Sequence, residues 1–186
     1  AVFVEFVAYR RLRMKGTNRL ATLISAIGIS IALQEVMRLL TDSRPVGAPR
    51  VLEKIILTEV WGANIRLDTV ITIIAAAAIF FVLERFIQIS RMGKAIRAVS
   101  QNEDAAKLMG VNLNRVITTT FLVGGLATGA AAFFYITVFE YTKFNIGFTM
   151  GMAAFTAAVL GGIGNIRGAF YGGLSLGLLE VYASAV

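Results

Sequence analysis

Five apolar stretches, each close to the length that a membrane-crossing helix needs, leave this chain few soluble folds to adopt. A helix that spans the hydrocarbon core takes about 20 mostly apolar residues, and residues 20–40, 67–87, 116–139, 144–161 and 169–182 meet that pattern, the last least fully. Charges in the first two stretches sit toward the ends (Glu35 and Arg38; Asp68, Glu84 and Arg85), where long side chains reach the lipid headgroups. Composition agrees. The chain is 57% hydrophobic and 16% charged, against about 45–50% and 25% for a soluble domain. The expected class is therefore all-α: a polytopic transmembrane helix bundle with about five spans.

The absence of Cys and His removes disulfides, thiolate nucleophiles and the usual zinc, haem and iron–sulfur ligands, so no metal or cofactor is expected. The net charge of +7 flanks the apolar spans, as the positive-inside rule requires, and forms no aromatic-interleaved patch for nucleic acid.

Loop charge orients the array. Residues 1–19 carry Arg10, Arg11, Arg13, Lys15 and Arg19 against Glu5, and residues 84–115 carry six Lys or Arg against Glu84, Glu103 and Asp104. Both segments belong on the cytoplasmic side. The segment 41–68 is balanced in charge and holds both prolines, Pro45 and Pro49, and residues 41–66 of it read as the external loop. Within it residues 51–65 suit either a short hairpin or an interfacial helix. Alternation then puts 140–147 outside and 162–168 inside. Residue 1 is Ala and the last apolar stretch runs straight to Val186, so the expectation is a piece of a longer membrane protein, with residues 1–186 forming a single membrane domain.

The cytoplasmic segment 88–115 has its own punctuation. Ser100 followed three residues later by Glu103 fits a capping box, Glu103 and Asp104 favour a helix start, and Gly110 with Val111 fits a left-handed stop. A helix over residues 101–109 is expected, with Ala105, Leu108 and Met109 as its apolar side. So short a helix needs a surface to hold it, either the bundle's own face or a partner.

Gly161, Gly162 and Gly164 strain against continuous helix and form either a turn or a break within the membrane. Gly164, Gly168 and Gly172 recur every four residues, as do Gly125 with Gly129, Gly147 with Gly151, and Gly173 with Gly177, a spacing that lets helix backbones approach closely. Gln34, Phe155, Thr156, Gly161, Gly162, Gly164 and Asn165 are candidates for a translocation path or a glycine-rich turn. Glu180 is a further polar candidate for such a path.

Four blocks carry a resemblance. They are Glu5 with Ala8-Tyr9-Arg10; Leu23-Ile24-Ser25-Ala26-Ile27-Gly28 with Leu33-Gln34; Met92-Gly93-Lys94-Ala95-Ile96-Arg97-Ala98 followed by residues 102–112; and residues 154–169 around Gly161-Gly162-Ile163-Gly164-Asn165. In order and across most of the chain, these resemble ABC importer permeases of the branched-chain amino acid family, of the high-affinity type. The resemblance implies a permease subunit of an ATP-driven importer in a bacterial inner membrane, of which residues 1–186 are the middle and later part, with N-terminal spans and a C-terminal segment missing. Its implied partners are ATPase subunits, a second permease subunit and an external substrate-binding protein that delivers leucine, isoleucine or valine. It also implies that residues 88–115 form the ATPase-coupling loop, with Arg91, Gly93, Lys94, Arg97, Ser100, Glu103, Asp104, Ala105, Ala106, Leu108, Met109, Gly110 and Val111 as coupling residues. The family commonly has Pro where Arg11 and Arg167 stand.

The chain holds no G-x-x-x-x-G-K-[ST] loop, so ATP hydrolysis belongs to a separate subunit. Two alternatives stay open: an ABC permease for urea or amides, and an ion-coupled carrier or channel. The carrier needs a midplane coupling charge, for which only Glu35 is placed, and Arg38 three residues on suits an interfacial pair.

Overall fold

A computed structural model describes residues 1–10, 19–48, 56–60 and 63–185. Arg11, Arg13 and Lys15 of the basic N-terminal segment, and residues 49–55 of the 41–66 loop, lie outside the described residues. The apolar stretches are helices. In chain order the elements are α1 (Val2–Val4) running into a π-helical turn (Glu5–Tyr9), α2 (Arg19–Leu40), β1 (Val46–Gly47), β2 (Ile56–Val60), β3 (Ala63–Arg66), α3 (Leu67–Ile89), α4 (Arg91–Gln101), α5 (Glu103–Leu108), α6 (Leu113–Phe139), β4 (Tyr141–Thr142), α7 (Ile146–Leu160) and α8 (Ile166–Ala185).

Each of the five expected spans is matched by one helix, and α3 and α6 are long and apolar enough by themselves to cross a membrane. α7 is shorter: its 15 residues reach about 22 Å at about 1.5 Å per residue, less than the roughly 30 Å hydrocarbon core. Large apolar side chains along these helices, among them Ile73, Phe81 and Val82 on α3 and Leu126 on α6, stand exposed. That is the reverse of a soluble core and is what lipid or neighbouring helices require.

The chain forms two compact bodies. One holds residues 1–29 and 44–143, the other residues 30–43 and 144–186. In the first, α6 is the central helix, contacted by α1, α3 and α4. Glu5 is 1% exposed and accepts a hydrogen bond from the Thr118 hydroxyl on α6 at 3.2 Å, while the Tyr9 and Phe121 rings meet at 5.2 Å. Asp68, equally buried, receives the Arg66 guanidinium on both carboxylate oxygens and lies in the first turn of α3, where the helix dipole favours an acid. In the second body, α7 and α8 form a close helical hairpin.

Of the two forms open to residues 51–65, the described part is a hairpin: β2 pairs antiparallel with β3, Val60 opposite Ala63. β1 pairs with β4, Val46 opposite Thr142, and the Ala48 amide donates to the Glu140 carbonyl. The first pairing is local. The second brings two separate loops together at one end of the first body.

The helix expected over residues 101–109 is corrected. α5 covers only Glu103–Leu108, and Ser100 is not its cap. Ser100 sits in the last turn of α4, its hydroxyl donating to the Arg97 carbonyl at 2.8 Å. The chain turns extended at Asn102 (φ −152°, ψ 110°), whose side chain takes the capping role.

Candidate functional site

The link between α3 and α6 is a tight elbow in which nearly every turn is closed by a side chain. α3 stops at Ser90, which is extended (φ −67°, ψ 151°), and its Oγ accepts from the Gly93 amide at 2.8 Å to start α4. Gly93 is buried, and a Cβ there would collide with the Ile87 backbone, so only glycine lets α4 fold back against the end of α3. Arg97 donates to the Gln88 carbonyl at 3.4 Å, placing a cation on the C-terminal end of α3 where the dipole is negative. Along α4, Met92, Ala95, Ile96 and Val99 form the covered side and Arg91, Lys94 and Arg97 the exposed one. This i, i+3, i+4, i+7 pattern is present in the sequence, yet it belongs to a helix that the punctuation of residues 100–110 does not reveal.

α5 follows. Asn102 Oδ1 accepts from the amides of Asp104 and Ala105, both at 3.0 Å, a cap of about 1 kcal/mol. Lys107 reaches back to Asp104 at 3.2 Å and Glu103 at 3.9 Å, so both acids of the first turn are engaged at the surface. The stop is as expected: Gly110 has φ +80°, its amide donates to the Lys107 carbonyl, and the Val111 amide donates to the Ala106 carbonyl, the paired closure of a Schellman turn. Asn112 Oδ1 then accepts from the Arg115 amide at 3.1 Å and opens α6.

Three of the four buried apolar residues among those described, Ala106, Leu113 and Val116, belong to this elbow. The buried alanine of α5 is thus Ala106, and Ala105 is exposed. Leu108 and Met109 are 89% and 84% exposed. The bundle's own face does not cover them, and two large apolar side chains project from a helix that is otherwise anchored.

The glycine-rich segment has the opposite character, with its bend closed in on itself. Gly162 (φ +88°) and Gly164 (φ +95°) turn the chain between α7 and α8, and Asn165 Oδ1 accepts from the Gly168 amide at 3.2 Å, starting α8. Gly168 lies against the Gly161 carbonyl and Gly172 against the Ala157 carbonyl so closely that a Cβ at either would collide with backbone. The Gly168/Gly172 spacing is therefore used for packing within the chain. At Gly129, Gly147, Gly151 and Gly177, by contrast, a Cβ would meet nothing within 4 Å.

The residues expected for a path or turn do not form one cluster. Gly161, Gly162, Gly164 and Asn165 come together in the α7–α8 turn. Phe155 is exposed on α7, Glu180 is exposed on α8, and the Thr156 hydroxyl donates to its own helix at the Met152 carbonyl. Gln34 instead lines a groove of about 280 Å³ with the start of α7, where Phe144, Gly147 and Phe148 form the facing wall. Glu35 is held by Arg38, whose Nε donates at 3.0 and 2.9 Å to its two oxygens.

Comparison with known proteins agrees with this architecture. A sequence profile described as the permease component of branched-chain amino acid transport systems matches residues 5–186. The high-affinity branched-chain amino acid transport system permease protein BraD of Pseudomonas aeruginosa is 39% identical over 98% of this chain and 60% of its own length. The corresponding permease LivH of Escherichia coli K12 is 40% identical over 98% of this chain and 59% of its own length. A fructose import permease of Rhizobium meliloti is 25% identical over 67% of this chain and 37% of its own length. No solved structure matches. The chain spans about three fifths of the length of the first two relatives. With its apolar helices, its closed elbow and a profile match over nearly all its residues, the chain belongs to the family of permease components of branched-chain amino acid transport systems.

Proposed function

We propose that this chain is a membrane-spanning part of a permease subunit in an ATP-driven importer of leucine, isoleucine and valine, held in a bacterial inner membrane. A separate ATPase subunit hydrolyses ATP, a second permease subunit completes the pore, and an external binding protein delivers the substrate. The observation that carries the reading is α5: a six-residue helix, capped at both ends, presenting Leu108 and Met109 from between two helices long enough to cross a membrane. A helix this short does not persist alone, and its exposed apolar pair suits a groove on a partner. The elbow of residues 88–115 then lies on the cytoplasmic side and residues 41–66 outside. The pairing of β1 with β4 fits that sidedness by joining two loops that alternation places together.

Closure of the ATPase on nucleotide would displace α5, and through α4, which contacts α3, α5 and α6, would tilt α3 and α6 between outward and inward arrangements. The names of the two similar permeases support the substrate class. The ion-coupled carrier is disfavoured because Glu35, the acid it would use, is engaged by Arg38.

The test is to purify the full-length protein in mild detergent and identify by mass spectrometry what stays bound. Recovery of a P-loop ATPase that is lost on changing Leu108→Asp is the expected result. Purification of the protein alone, with uptake that persists without ATP, would sink the reading.

A further inference from the structure

The groove between α2 and α7 is lined by a hydroxyl and an amide, those of Ser30 and Gln34. Along the apolar helices many hydroxyls are internally occupied: those of Thr120, Thr128, Thr137 and Thr156 each donate to the carbonyl four residues back. Ser30 and Gln34 make no hydrogen bond among the described residues, although they line the groove together. They stand four residues apart, and so on one face, with Ser30 at the middle of the 22-residue α2. Polar groups left without partners in hydrocarbon are costly, and those that persist there mark helix contacts or transport routes.

The opposite wall explains why these groups stay unfilled. Gly147 contributes no side chain, and a Cβ there would meet nothing within 4 Å. Phe144, Phe148, Leu33 and Met37 supply the apolar remainder. At about 280 Å³ the groove lies just below the range of drug-sized ligand pockets, about 300 to 1,000 Å³, as suits a single amino acid. The larger groove between α3 and α6, about 460 Å³, is lined mostly by apolar residues such as Ile73, Ala76, Ile79, Ala127, Phe134 and Val138; its polar members are the hydroxyls of Thr69, Thr72 and Tyr135, of which that of Thr72 donates to the Asp68 carbonyl, and none of its lining residues carries a side-chain amide.

We infer that the Ser30–Gln34 groove is a transient binding station for the transported amino acid. The Gln34 amide and Ser30 hydroxyl serve its carboxylate and ammonium, and the aromatic and aliphatic wall takes its branched side chain. This rests on the import reading above and assigns that reading a site. Neutral partners suit a station on a route. The amide offers both a donor and an acceptor to the zwitterion, and it holds no opposite charge that would trap either end, so binding remains weak enough for release.

Residues 1–186 contain no cysteine, so a thiol introduced among them reports on one place once any cysteine elsewhere in the assembly is replaced. A Ser30→Cys variant of the full-length permease is reconstituted in vesicles with its ATPase, partner permease and binding protein, and is labelled with a small charged thiol reagent during ATP turnover. Leucine-loaded binding protein is expected to slow labelling about tenfold, and unloaded binding protein is not. Gln34→Leu and Gly147→Leu are each expected to cut leucine uptake at least tenfold, with assembly checked by copurification of the subunits. Equal labelling with and without leucine would overturn the station. So would crosslinking of the introduced thiol to a helix that fills the groove, or uptake within twofold of wild type in both groove variants. A wild-type assembly that imports no leucine sinks the import reading and the station with it, whereas normal wild-type uptake beside any of the three contrary results removes the station alone.

Discussion

The second half of the elbow, residues 102–112, and the turn at residues 161–165 solve the same problem, joining two helices, with the same residue types and opposite results. Both use glycine at positive φ and asparagine as a cap. In the elbow the glycine ends a short helix and leaves two large apolar side chains uncovered. In the turn the glycines continue into α8 and draw it onto α7 until backbone meets backbone. Glycine and asparagine therefore say where a chain bends. What the bend is for depends on the neighbours, either Leu108 and Met109 or Gly168 and Gly172.

The most severe test of this contrast falls on the turn. Gly168→Leu puts a side chain into the Gly161 carbonyl and is expected to destabilise by about 3 kcal/mol or more, seen as loss of monodisperse protein in detergent. Gly177→Ala, in open space, is expected to leave yield and thermal unfolding unchanged. If Gly168→Leu were tolerated, the hairpin would not be glycine-packed. At the root of the elbow, Gly93→Val against the Ile87 backbone is expected to cost about 2 kcal/mol, read from the thermal midpoint of the purified protein.

Smaller effects dissect α5 itself. Gly110→Val, forced to φ +80°, should cost about 1–2 kcal/mol and abolish coupled uptake while membrane insertion is retained in a fractionation assay. Asn102→Ala should cost about 1 kcal/mol and speed amide exchange at Asp104 and Ala105, while Ser100→Ala should leave both amides as they are. Exchange that responds to Ser100 rather than Asn102 would restore the capping box. The smallest change in stability, within about 0.5 kcal/mol, is expected for the double change Leu108→Ser with Met109→Ser, even though it too should release the ATPase. A large fall in its thermal midpoint would mean that these side chains are packed in the chain's own fold.

Apolar composition and length make the five apolar helices legible, because an apolar run of that size has few alternatives. Gly110 is legible for a similar reason: few residues accept its backbone angles. The position of the α5 cap is not, because Ser100 and Asn102 are both good N-caps. α4 decides between them by extending to Gln101 and absorbing Ser100 into its last turn. α4 itself leaves a signal, apolar residues at 92, 95, 96 and 99, masked by the basic residues between them. The pairing of β1 with β4 leaves none, since it joins residues nearly a hundred positions apart through backbone groups that every sequence possesses. The groove at Gln34 is half visible. The amide stands out on an apolar helix, but its opposite wall at Gly147 and Phe148 comes from an element more than a hundred residues away.

α6 runs unbroken and without proline from the Asn112 cap to Glu140, with the elbow at one end and the β1–β4 ladder at the other. Its 27 residues make a lever arm of about 40 Å. A rotation of about 5° at the elbow would carry the far tip sideways by about 3–4 Å over that length, enough to unzip a ladder only two residue pairs long. The end of α6 farthest from the elbow is where a small swing would be magnified most, and it is there that the chain is held by the shorter of its two described ladders.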